Sequence, residues 1–152
     1  MSKQEQKIKE GAKPFLEAGE EVLAAIVAAP RGHTQAVAGA QGLGQRQEGR
    51  VRDAAEQAGV QLASPMAVAL TQKRLLTLSI GAPIGLGIGG KVKDVLSSVP
   101  IAEVDSIEVK RLGLGKKVIL TVRSVPITLE ANAAANANDL AEAFERAKAG
   151  LA

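Results

Sequence analysis

The sequence predicts a mainly β fold of seven short antiparallel strands closed by a C-terminal α-helix, and three stretches carry that expectation. Ser106-Ile107-Glu108-Val109-Lys110 alternates polar and apolar residues without a miss, the pattern of a strand with one buried face. Between Val68 and Leu78, two β-prone arms meet at the polar turn Gln72-Lys73-Arg74, which reads as a hairpin. Near the end of the chain Leu140, Phe144, Ala147 and Leu151 fall on one helical face, with Glu142 and Arg146 paired outside it and Asn136 or Asn138 placed to cap.

The remaining elements follow in chain order. Residues 1–13 carry many charges and the single large aliphatic residue Ile8, so they read as a flexible, solvated tail ahead of one domain spanning 14–152. Val22 to Ala29 is an apolar run ending at Pro30, the expected first strand. An insertion follows at about 31–62, rich in Gly, Ala, Gln and Arg. Within it Val51, Ala54, Ala55 and Ala58 recur at helical spacing and Gly59 is placed as a stop, so a helix is expected from about Arg46 to Ala58. After the hairpin and a glycine-rich connection, Gly81 to Gly90, comes the apolar run Val95 to Ile101. Val118 to Val122 and Ile127 to Leu129, joined through Arg123-Ser124-Val125-Pro126, complete seven strands in a meander.

Composition narrows the chemistry. The 152 residues suit one domain. The chain is 46% hydrophobic, yet Phe15 and Phe144 are its only aromatics, so the core must be aliphatic. Without cysteine, disulfides, thiolate catalysis and zinc–cysteine sites are excluded. The 19 basic and 16 acidic side chains leave a formal charge of +3, mild enough that clustering matters more than the total. No secretory h-region is seen, and the uncharged run Leu75 to Gly90 is too short and too broken by Gly and Pro to span a membrane. A cytoplasmic protein, peripheral at the membrane if it touches one, is expected.

Several motifs sharpen the fold. Leu70-Thr71-x-x-Arg74-Leu75-Leu76, Val99-Pro100-Ile101-x-x-Val104-x-Ser106-Ile107, Leu120-Thr121-Val122 and Ala137-x-x-Leu140-Ala141-x-Ala143-Phe144 occur in that order. Together they resemble bacterial PH-like domains of the YokE and GRAM-like kind, over Phe15 to Gly150 apart from the insertion. The resemblance implies a bent seven-stranded antiparallel sheet or barrel capped by the last helix, with the inserted helix or loop lying between strands 1 and 2. It also implies a scaffold that binds lipid or peptide rather than a catalyst.

No catalytic constellation stands out, so a non-enzymatic adaptor without cofactor or metal is expected. The candidate binding residues are Ile84, Leu86 and Ile88 on the glycine-rich connection with Lys91 and Lys93 behind them, and Lys110, Arg111, Lys116 and Lys117 about the next long turn. Apolar groups beside lysines suit an anionic membrane surface, or a protein partner. In an unbroken meander both turns would point to one end of the sheet. Gly85-x-Gly87-x-x-Gly90-Lys91 satisfies a dinucleotide fingerprint and nearly a phosphate-binding loop, but Val92 replaces the hydroxyl residue and βαβ repetition is missing, so nucleotide binding is a remote alternative. A second alternative is a homo-oligomer formed through the small residues of the 36–58 segment. His33, the sole histidine, has no partner for metal or acid–base work in its neighbourhood of sequence, and without stacking aromatics nucleic acid is not an expected partner.

Overall fold

The computed structural model describes residues 3–30, 41–63, 66–81, 91–112, 115–131 and 137–150. Seven strands form one antiparallel sheet: β1 (Val22–Pro30), β2 (Met66–Thr71), β3 (Arg74–Ile80), β4 (Val92–Pro100), β5 (Val104–Leu112), β6 (Gly115–Val122) and β7 (Val125–Ala131). Among the described residues three α-helices accompany them: α1 (Lys3–Ala12), α2 (Gln41–Gln57) and α3 (Ala137–Ala149). The mainly β class, the seven strands and the C-terminal helix are those expected. The sheet order is β4-β3-β2-β1-β7-β6-β5, so β1 is central and β4 and β5 are free edges. The sheet therefore does not close into a barrel.

It is nevertheless forced to bend. Pro100, the last residue of β4, pairs with Arg74 beside the β2–β3 turn, whereas Val104, the first of β5, pairs with Val122 beside the β6–β7 turn. Those turns lie at opposite ends of the sheet, yet only the 3-10 turn Ile101–Glu103 joins the two strands. Three residues span on the order of 10–14 Å at most. The sheet must curl until its edges meet at one corner, and backbone bonds fasten it there: Ile101 N–H donates to Lys73 O at 3.1 Å and Arg123 N–H to Glu103 O at 3.0 Å.

The curl creates a concave face that needs filling. Ile26, Met66, Val68, Leu70, Leu120 and Leu129 line it, and Ala55 of α2 and Ala58 just past its end, with Leu140 and Phe144 of α3, pack against them. The apolar continuity of β1 and β2 follows from burial on both faces, because their outer faces are covered as well. The cover is α1. Glu5, Ile8 and Ala12, spaced three and four residues apart, are buried, and Ile8 and Ala12 share a second core with Ala67, Ala69, Leu76 and Leu78. A Cβ added to Gly11 would lie 2.9 Å from the Val92 side chain, so glycine permits this close seating. The expectation of a solvated tail over residues 1–13 is corrected accordingly. One of the three inward positions is a carboxylate, which hid the apolar stripe; Ala25 N–H donates to it at 3.4 Å, next to the β1 bulge.

The inserted helix stops where its glycine falls. Gly59 takes φ +79°, Gly59 N–H donates to Glu56 O and Val60 N–H to Ala55 O at 2.8 Å, a Schellman ending with Val60 buried. Ala55 and Ala58, two of the small residues of the 36–58 segment, are 0% and 1% exposed and pack against the chain's own sheet. Residues 36–40 of that segment lie outside the described residues.

Candidate binding surface

Of the candidate residues, Ile84, Leu86 and Ile88 lie outside the described residues, as does His33. Lys91 and Lys93 are exposed at the start of edge strand β4, where Asp94 follows directly. Lys93 and Lys91 thus share their short stretch with a carboxylate.

The other basic group is denser. In the β5–β6 hairpin Lys110 pairs with Lys117 and Arg111 with Lys116, two consecutive rungs of directly opposed cations. Residues on successive rungs point to opposite faces. Arg111 and Lys116 continue the concave set of Ile107, Val109, Val118 and Leu120, at the margin where the core ends. Lys110 and Lys117 stand on the outer face with Glu108, and Glu130 of β7 lies opposite Lys117.

The two basic groups are not neighbours along the sheet. One row of paired residues runs from Asp94 through Ser79, Met66, Ala28, Ala131 and Lys116 to Arg111, crossing all seven strands. At about 4.8 Å per strand interval, six intervals separate them by roughly 29 Å measured along the sheet. Their turns also point opposite ways. Because β1 is antiparallel to both β2 and β7, β4 and β5 run in the same sense, and the β3–β4 and β5–β6 connections leave from opposite ends. The expectation that both turns share one end assumed a reversal at every connection; the corner at Ile101–Glu103 breaks that alternation.

The phosphate-loop reading loses its structural context. A phosphate-binding loop hands its ligand to a helix N-terminus, but the residues after Lys91 form strand β4. The helical spacing of Val92, Val95, Leu96 and Val99 is here the edge strand's own apolar content, interrupted by two register shifts against β3.

Two ion-pair networks hold the scaffold behind these surfaces. Arg74 grips Glu20 with both arms, Nε to Oε2 at 2.9 Å and Nη2 to Oε1 at 3.0 Å, and Nη2 also donates to Phe15 O at 2.9 Å. Thr71 Oγ1 donates to the same carboxylate at 2.6 Å and accepts the N–H groups of Lys73 and Arg74. Burial alone would raise the Glu20 pKa, but the hydrogen bonds from Arg74, Thr71 and the Glu17 N–H, with the Arg74 charge, bring it down from 4.5 to about 2. On the other side of the Ile101–Glu103 turn Arg123 grips Glu103, Nε to Oε1 at 3.1 Å and Nη2 to Oε2 at 2.8 Å, while Nη1 donates to Ala58 O just past the end of α2. These hydrogen bonds hold Glu103 below and Arg123 above their ordinary values. Arg123 and Ser124 form the two-residue β6–β7 turn with φ 48° and 69°, the left-handed geometry such hairpins use.

Sequence reasoning missed two grooves. One of about 410 Å³ runs between Leu96, Ser97 and Ser98 of β4 and the Gly59-Val60-Gln61 segment. Another, of about 470 Å³, lies between Leu23 and the outer flank of α3 at Ala143, Arg146 and Ala147. Among the described residues Leu23 is the large hydrophobic residue left 36% exposed, at the bulge in β1, and nothing in the local sequence marks the bulge. Among the described residues no three His, Cys, Asp or Glu side chains converge, and no helix is long and apolar enough to cross a membrane. No protein-family model matches the chain, and no curated protein matches it either.

Proposed function

We propose that this chain is a PH-like, non-catalytic binding domain that docks peripherally on an anionic membrane surface through the end of its β5–β6 hairpin. The carrying observation is the pair of consecutive cationic rungs, Lys110 opposite Lys117 and Arg111 opposite Lys116. Two adjacent rungs place four cations on one hairpin end, a concentration of positive charge that suits acidic headgroups. Each lysine or arginine near such a surface contributes about 1 kcal/mol, enough for four to give salt-sensitive adhesion. Lys91 and Lys93 stand at the far edge, so they belong to a different footprint.

Co-sedimentation with phosphatidylcholine vesicles, with and without phosphatidylserine, tests the reading. Binding is expected only to the acidic vesicles, falling with added salt and lost in the Lys116→Glu/Lys117→Glu variant. Negligible binding to both vesicle types, or binding that survives the double reversal, would overturn it.

A further inference from the structure

We infer that β5 is a self-complementary edge through which two copies of this chain pair antiparallel about Val109, extending the sheet from one copy into the next. The two edges of the sheet are not protected alike. Strand β4 carries two register shifts, the adjacent charges Lys93 and Asp94, and a terminal Pro100, devices that blunt an edge. Strand β5 is irregular only at its start, between Val104 and Ser106, and then runs through residues 106–112 in unbroken register with β6. Its opening residues are already engaged: Lys148 Nζ donates to Val104 O, and Asp105 accepts the Ser124 N–H at 2.7 Å. The regular part is where a second strand has room to add.

Its charge order selects the partner. A two-fold axis perpendicular to the sheet keeps outer faces together, so only residues of the same face oppose one another. With the axis on Val109, Glu108 of each copy stands opposite Lys110 of the other, and both are exposed outer-face side chains. Each outer rung then reads Glu130, Lys117 and Lys110 from one copy followed by Glu108 from the second, so the like-charged pair is flanked by a carboxylate on either side. Moving the register two residues toward Ser106 would set Glu108 against Glu108; moving it the other way would set Lys110 against Lys110. On the concave face Arg111 meets Ile107 of the second copy, and the Arg111–Lys116 rungs gain no new carboxylate. The dimer thus gathers two basic hairpin ends beside one axis.

An edge of seven residues buries less than a standard stable interface, so the dimer forms in the micromolar range or weaker. Sedimentation equilibrium without lipid tests the pairing independently of membrane docking. Wild type is expected to dimerise with concentration, and Glu108→Lys or Lys110→Glu alone to weaken dimerisation about tenfold or more, since each turns two attractive pairs into repulsive ones. An equimolar mixture of the two variants restores both pairs and should dimerise again. Val109→Cys, which would supply the chain's only thiol, should oxidise to a covalent dimer. A wild type that stays monomeric, single variants that dimerise as wild type does, or a mixture of folded variants that stays monomeric would each overturn the inference.

Discussion

Glu20 shows how one buried side chain organises a turn. It sits one residue before Glu21 and two before β1, and its carboxylate collects Arg74, Thr71 and the Glu17 N–H into one knot between the chain entering β1 and the β2–β3 hairpin. Its folded pKa of about 2 lies below the ordinary 4.5, so its contribution is complete above the ordinary value and is lost as pH falls toward about 2. The full shift would correspond to a few kcal/mol; with the Arg74 side chain 22% exposed, about 1–2 kcal/mol is a better expectation. Glu20→Gln should therefore be less stable than wild type at neutral pH by about that amount, and the gap should close through the acid window. Urea midpoints measured across pH check this, and a gap that stays constant from neutral to acid pH would contradict the ion pair as its source.

At the scale of the element, Gly49 within α2 and Gly59 just beyond its end have opposite meanings. Gly59 has φ +79°, and a Cβ there would fall 2.6 Å from Arg123 Nη1, so Gly59→Ala should cost about 1–2 kcal/mol through backbone strain and a displaced Arg123. Gly49 lies inside the helix with nothing within 4 Å of an added Cβ, so Gly49→Ala should stabilise by about 0.5–1 kcal/mol. Thermal unfolding of the two variants is expected to shift in opposite directions; shifts of the same sign would refute the Schellman ending. The helix was legible because Val51, Ala55 and Ala58 keep a period and Gly59 ends it. The first helix was not, because Glu5 occupies an inward position that a hydrophobicity pattern counts as outward. The strands were legible for the same reason as α2: β6 and β7 alternate buried and half-buried residues through Val118, Leu120, Ile127 and Leu129.

For the whole molecule, the layout of the candidate surface depended on information that no local pattern holds. Lys110, Arg111, Lys116 and Lys117 were legible as a group because a tight hairpin must bring them together. Their relation to Lys91 and Lys93 was not, since it is decided by β1 pairing antiparallel with β7 over only Ala28↔Ala131, Ala29↔Glu130 and Pro30↔Leu129. Among the described residues those three rungs are the pairing between the four-stranded and three-stranded halves, and Pro30 has no N–H to give to them. Side-chain packing across the concave face must then carry much of the connection. Phe144 is the largest fully buried side chain in that core, on a helix that contacts both β1 and β5, one strand from each half. With so few aromatics in the chain, no neighbouring ring can expand into the space it would leave. Phe144→Ala should cost about 3–5 kcal/mol, a large share of the 5–15 kcal/mol typical of a domain. If α3 couples the halves, the loss appears as one cooperative transition at lower urea; if each half is stable alone, the variant unfolds in two steps while wild type unfolds in one. Hydrogen exchange separates the cases, since coupling predicts that protection in β2–β3 and in β6–β7 falls together.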